Sequence, residues 1–350
     1  MRKIQSAQVL FLVLAIVMLG SCSSTNTLTL SVTEPAPVYL PSNIKAVGII
    51  NRSLPSDKNK DLDQIQKILT IEGKDLDKDG AHQSVIGLQD ELVNYMMFSE
   101  VKIINNIEAM SPGLGIFPSA LSWDAIERIC TENNVDAIFE LSSFDTDSKI
   151  DYKAVQVQVA APLGVKIPAI EHRATITTFI KTGWRIYDPA NRAIRDEYTV
   201  NKQVTSRGAG INPMQAVEAV MGRKESVLKE SNSIGHSYAS RILPYKIRVT
   251  RDYYVKGTNN FEIAKRKAQT GDWDGAAVLW EKEVPNPDGK VAGRACYNMA
   301  IINEINGNLS TAIDWASKSY TDYNDREALH YVNILKDRIA ENEQLVQQQQ

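Results

Sequence analysis

Three small residues and a fourth, apolar position recur at one spacing in the last third of the chain. Ala264, Gly271, Ala276 and Ala277 return as Ala300, Gly307, Ala312 and Ile313, each 36 positions on, as 307 is from 271. Self-similarity at a period of this size marks stacked supersecondary units rather than a single core. Each unit reads as helix, Gly turn, helix: FEIAKRKAQTGDWDGAAVLWEKEV, then GRACYNMAIINEINGNLSTAIDWASKSY. Glycine at the turn permits the tight reversal, and alanines at 276, 300 and 312 let helices approach closely. A third helix over residues 325–345 is placed to cover the apolar end of the array, and the Gln-rich residues 346–350 are expected to be disordered.

These units resemble tetratricopeptide repeats, whose period is about 34 residues; an insertion in the connecting PNPDGK accounts for the longer spacing. The resemblance implies a concave groove for a peptide or protein, or, in an array this short, a clamp on the preceding domain. The helical domain is expected over residues 251–345.

Residues 43–250 carry a different pattern. IKAVGII is a β-rich run ended by the turn Asn51-Arg52-Ser53. Residues 84–98 have a near-helical period, VKII (residues 101–104) is a short strand, and Ser122 caps a helix with Ala125, Ile126, Ile129 and Cys130 on one face. VDAIFEL follows as a strand, so the order is β-α-β-α-β. Period-two runs come next at residues 155–159 and 174–180, then Trp184-Arg185-Ile186-Tyr187, a turn at Asp188-Pro189-Ala190-Asn191, and a returning strand over residues 193–204. Asn212 and Pro213 open one helix. A second runs from about Lys224 and is stopped by Pro244; its small residues Ser231, Gly235 and Ala239 predict a close-packed face. The expected fold is an α/β (α+β) domain with a mixed sheet and packed helices, followed by all-α tetratricopeptide-like hairpins.

The succession IKAVGIINRS, FSEVKIIN, AIERICTENNVDAIFEL and WRIYDPANRAI resembles the envelope lipoprotein domain shared by curli-secretion proteins, penicillin-binding-protein activators and the N-terminal domain of the Tol translocation protein. The glycine that usually follows the VDAIF strand is missing, and Glu140 stands near its place. The whole chain is also similar to Bacteroidetes-type envelope lipoproteins with tetratricopeptide repeats.

The N-terminus agrees with that resemblance. Residues 9–19 (VLFLVLAIVML) form an uncharged run of about 16 Å as a helix, half a bilayer core. Arg2 and Lys3 precede it and small residues follow, the order of a secretory signal peptide over residues 1–21. Leu19-Gly20-Ser21-Cys22 resembles a lipobox, which implies acylation of Cys22 by palmitate-type chains, cleavage before it, and attachment to the outer membrane. Lipoproteins of the family with surface-export tags carry an acidic cluster directly after this cysteine; none directly follows Cys22, so the resemblance implies the periplasmic face. The Ser/Thr/Pro-rich stretch 22–42 reads as a flexible tether.

Composition excludes several classes. The 350 residues have a net charge of −3. Without Arg2 and Lys3 the balance is 37 basic against 42 acidic groups, or −5, which is no nucleic-acid profile. Cys130 and Cys296 are expected as buried free thiols in separate domains. Asp75, Asp77, Asp79 and Gly80 match the first half of a calcium loop, but Ile86 stands where a bidentate Glu is required, so the reading is a solvated acidic turn. His82, His172, His236 and His330 lack metal-ligand spacing. Gly113-Leu114-Gly115 and Gly208-Ala209-Gly210 read as loops, and Asp196 and Glu197, adjacent on a strand, face opposite ways. No catalytic, cofactor or metal residue is assigned, and no cofactor is expected. The sequence points to a non-enzymatic, membrane-anchored scaffold that binds an unknown envelope protein. The alternative, implied by the curli-secretion resemblance, is a homo-oligomeric outer-membrane pore or secretion component built from the alternating strands.

Overall fold

The computed structural model describes residues 24–53, 64–105, 117–160, 166–220 and 222–348. The expected signal segment, Cys22, Gly113-Leu114-Gly115 and residues 161–165 lie outside the described residues. In chain order the elements are β1 (Thr25–Glu34), β2 (Ala46–Asn51), α1 (Gln64–Asn94), β3 (Glu100–Ile104), α2 (Trp123–Asn133), β4 (Ala137–Ala160), β5 (Lys166–Asp188), β6 (Ala193–Gly210), α3 (Pro213–Glu218), α4 (Arg223–Ala239) and β7 (Tyr245–Tyr254). Five helices follow: α5 (Asn259–Gln269), α6 (Trp273–Glu281), α7 (Gly289–Ile305), α8 (Leu309–Tyr323) and α9 (Arg326–Gln348). A mixed sheet with packed helices is thus followed by helical hairpins, the expected fold class.

The chain divides into two units, residues 36–243 and the residues up to 35 together with those from 244 onward. The boundaries differ from the expected ones at both ends. The stretch expected as a tether contains β1, which pairs antiparallel with β7 from Thr25↔Tyr254 to Glu34↔Tyr245. Its alternation of Thr and apolar residues is a strand signal that Ser/Thr/Pro composition masked. The residues expected as a disordered tail continue α9 as far as Gln348.

In the unit 36–243 the sheet order is β3-β2-β4-β5-β6. β2 lies parallel to β3 and β4, while β4, β5 and β6 run antiparallel. One face buries Val47, Ile49, Phe139, Leu141, Ile180 and Trp184 against Leu88 and Leu92 of α1 and Ile234 and Tyr238 of α4. The other face buries Ile50, Ile138 and Tyr187 under Ile126, Ile129 and Cys130 of α2. A bulge between Leu141 and Ser143 adds one residue to β4. Odd positions (137, 139, 141) before it and even positions (144, 146) after it therefore reach the same covered face. Local signals behave as expected: Ser122 Oγ accepts from Ala125 N at the start of α2, and Asn212 Oδ1 from Gln215 N at the start of α3.

The small face of α4 packs on α1. Ser84 Oγ donates to the Ser231 carbonyl (2.9 Å), and Gly87 and Gly235 sit where the backbones touch, a side-chain carbon on either running into the partner's carbonyl.

In the other unit, α5/α6 and α7/α8 are the two hairpins. Gly271 and Gly307 turn them with φ of 83° and 78°, a left-handed geometry that favours glycine. Ala264, Ala276, Ala300 and Ala312 are fully buried, so the 36-residue spacing marks helix–helix contacts. The β1–β7 ribbon buries Leu28, Tyr253 and Val255 in the same core as Phe261, Trp280 and Leu335. Arg251 of β7 forks onto Glu304 of α7 (2.9 Å from Nε and Nη2), and the Tyr331 hydroxyl donates to the same carboxylate (2.6 Å).

Candidate functional site

The acidic run 75–80 is helical, part of α1, and is neither a calcium loop nor a solvated turn. At about 100° per residue, positions 77 and 79 point to opposite sides of the helix. Asp77 is buried and accepts from Thr146 N (2.7 Å) and Thr146 Oγ1 (2.6 Å); Asp79 pairs with Lys224 (2.6 Å). Among the described residues no group of three His, Cys, Asp or Glu could hold a metal ion. Cys130 and Cys296 are buried free thiols. Burial, with Asp136 adding to it, pushes the Cys130 thiol up to about 12, and burial raises Cys296 to about 11.

His236 pairs with Glu91 (2.7 Å), and His172 meets the Tyr152 hydroxyl, their rings stacked. His82 and His330 are exposed. Asp196 and Glu197 do face apart: Asp196 takes both arms of Arg241, and Glu197 takes Arg185 Nε. Gly208 and Gly210, expected in a loop, end β6 instead; a Cβ on either would strike the backbone around Ala216, so their bareness lets α3 lie against the strand.

Sequence reasoning missed the buried charged cluster at the carboxyl end of β2. Glu140 is fully buried; its Oε1 accepts from Arg52 Nη1 (2.8 Å), with Arg185 Nη1 at 3.5 Å. Its Oε2 has no hydrogen-bond partner among the described residues. Arg185 Nη2 donates to the Pro118 carbonyl and Arg52 Nη1 to that of Ser119; the Phe117 ring lies 4.6 Å from the Arg185 guanidinium. The Tyr187 hydroxyl accepts from Leu121 N, and burial followed by the Glu140 carboxylate raises it to about 12. Two guanidinium groups thus strap residues 117–121 onto the sheet. Glu140, standing where the resembling families carry glycine, was the signal in the sequence.

The outer face of the long β4–β5 hairpin is left bare. Lys149, Asp151 and Lys153 on β4, and Arg173 and Arg207 beside them, are exposed. Past His172, which pairs with Gly210, β5 has no β6 partner, and residues 155–160 and 166–171 form a two-stranded arm. On its outer face Val155, Val157 and Val159 lie opposite Glu171, Ala169 and Ile167. Val159 is 46% exposed, Ile167 49% and, on the reverse face, Ile170 63%. The segment 166–168 belongs to strand β5.

Two concavities lie away from this face. A cleft of about 1270 Å³ has apolar walls from Leu76, Ile86, Val217 and Leu228, and its rim carries Lys224 and Lys229 against Asp90 and Glu225. A groove of about 460 Å³ in the helical unit runs along residues 26–30 of β1 beside Tyr253, Trp273 and Ile305.

Residues 44–254 match a family described as a domain of unknown function (DUF8603), and residues 262–337 match a second, described as a domain of unknown function (DUF6340). No curated protein matches. Among solved structures, a PelC dodecamer from Paraburkholderia phytofirmans is 11% identical, covering 62% of this chain and 98% of that one, with a TM-score of 0.26. A neuraminyllactose-binding hemagglutinin homolog from Helicobacter pylori is 9% identical over 58% of this chain and 91% of that one, with a TM-score of 0.25.

Proposed function

From the premise that this chain belongs to the DUF8603 family, we propose that it is a lipid-anchored, non-catalytic envelope protein whose β4–β5 arm grips another protein. The observation that carries this reading is the arm itself, a two-stranded ribbon with Val159, Ile167 and Ile170 exposed and Val155 and Val157 half-buried beside them. A lone ribbon is marginal in water, and exposed contiguous apolar surface marks a contact site. The basic and polar outer face at its base supplies a rim. Among the described residues no helix is long and apolar enough to cross a membrane; attachment in this reading comes from acyl chains on Cys22, at the outer membrane and facing the periplasm. The helical hairpins serve as tetratricopeptide-like repeats that offer the groove beside Trp273 as a second contact surface.

A second reading is a homo-oligomeric pore, favoured by the alternation of β4 along the arm, VQVQV over residues 155–159. Its apolar outer face spans five residues of β4, about 17 Å, against an apolar band of about 25 Å on bilayer-spanning barrels. Protein binding therefore fits the arm better.

The test is photo-crosslinking from position 157 in the lipidated chain within the envelope, with position 218 as control. A discrete heavier adduct from 157 and none from 218 supports the reading. An adduct of twice the chain mass and a ring-sized detergent species favour the pore. Equal, diffuse crosslinking from both positions overturns the arm as a contact surface. Release of a Cys22→Ala chain from membranes checks the anchor.

A further inference from the structure

Cys22, the proposed acylation site, lies two positions before Ser24, where the described residues begin, and that bears on which surface meets the lipid. The Ser24 carbonyl accepts from Val255 N (2.9 Å), and the ten pairs of β1 with β7 begin at Thr25↔Tyr254. This end of the ribbon is held from several sides. Asn298 clasps the Tyr254 backbone, Oδ1 accepting from N and Nδ2 donating to O, both at 2.7 Å. The Tyr254 hydroxyl donates to Asp325 (3.2 Å), Arg294 Nη1 donates to the Lys256 carbonyl (2.7 Å), and the Arg294 guanidinium sits 5.0 Å from the Tyr254 ring. Leu28 anchors the next turn of the pleat in the core.

Only Ser23 lies between Cys22 and Ser24, a reach of at most about 7 Å over two peptide steps. The headgroup layer of one leaflet is roughly 5–8 Å deep. A free tether of 20 residues would instead give a root-mean-square reach of roughly 25 Å and let the unit tumble.

We propose that the surface formed by Ser24, Thr25, Tyr254, Lys256 and Arg294 rests on the phospholipid headgroups. This inference rests on the acylation of Cys22 proposed above. The partner is the bilayer surface. Lys256, exposed at this end, meets the lipid phosphates; Arg294 stays over Tyr254, and Asp252 lies on the outer face of β7. The opposite end of the ribbon, Glu34 beside Tyr245, stands about 30 Å further along the strands. Both crossings into the unit 36–243 leave from that far end.

The experiment uses the full lipidated chain bound to vesicles of phosphatidylethanolamine and phosphatidylglycerol that contain nitroxide-headgroup lipid. A fluorophore is placed at Lys256→Cys or, as the far-end control, at Lys246→Cys, which pairs with Thr33. The expected result is several-fold stronger quenching at 256 than at 246, with the difference lost when eight Gly/Ser residues are inserted between Ser23 and Ser24. Equal quenching at both positions, weak or strong, in chains that still sediment with vesicles overturns the inference and leaves the anchor standing. Chains that fail to sediment overturn the anchor and the inference together.

Discussion

A methyl group on Gly235 of α4 would land on the Ser84 carbonyl oxygen of α1. That obstacle is backbone, which cannot rotate aside as a side chain can. Alanine gains about 1 kcal/mol of helix propensity over glycine, but separating the helices loses the packing of Leu88, Ile234 and Tyr238. Overpacking of this kind costs typically about 1–3 kcal/mol. Gly235→Ala is expected to lower the urea midpoint at unchanged slope, whereas Ala at exposed helix positions would leave it unmoved.

Glu140→Leu is expected to destabilise the chain by about 3–5 kcal/mol, the usual cost of removing one partner from a buried ion pair. Arg52 and Arg185, 6% and 2% exposed, would then face each other across an apolar side chain. Urea unfolding measures the loss. Because these arginines also hold the Pro118 and Ser119 carbonyls, amide exchange within residues 117–121 should rise in the variant. Unchanged exchange there would mean that the strap is held by Phe117 and Tyr187 alone.

The contrast between Gly235 and Glu140 explains what the sequence could disclose. Small residues at helical spacing report contact locally, so the α4 face, the 36-residue repeat and the caps at Ser122 and Asn212 were legible. The Glu140 cluster joins residues 52, 118, 140, 185 and 197, and chain order alone does not bring such positions together. β1 was missed for a related reason: its partner, β7, lies 229 residues away at Thr25↔Tyr254 and 211 at Glu34↔Tyr245. The acidic run 75–80 was misread because buried Asp77 answers to Thr146, a partner in another element. The candidate contact arm was visible only as alternation; its exposure depends on where β6 ends.

Asp188 should give the acid limb of stability a measurable component. Burial alone would raise its carboxyl, yet hydrogen bonds from the Asn191 side chain and from Arg195, with the Asn191 backbone N–H, hold it below the ordinary 3.8. A carboxylate with a depressed folded pKa stabilises the fold above its unfolded value. That stabilisation is lost as pH falls from about 3.8 through the folded value, because the unfolded chain takes up the proton first. Asp188→Asn is expected to lower the urea midpoint at neutral pH. The gap to wild type should then narrow below pH 3.8. A gap independent of pH would assign the effect to the turn hydrogen bonds rather than to the charge.

The two interior thiols should be silent in the native protein. Thiolate is the reactive form, and burial raises Cys130 to about 12 and Cys296 to about 11. Near neutral pH the thiolate fraction at either position is therefore at most about one in ten thousand, and neither sulfur is open to reagent. In a chain with Cys22→Ala, iodoacetamide should modify neither residue under native conditions and both in urea. Because the thiols lie in different units, partial denaturation offers a further readout. The urea concentration at which each becomes labelled, followed by peptide mass, reports the opening of the unit that holds it. Coincident labelling of Cys130 and Cys296 would mean that both units unfold in one step. Labelling of Cys130 in the native state would contradict its burial beside Ile126 and Ile129 on the inner side of α2, against Ile138 of the sheet.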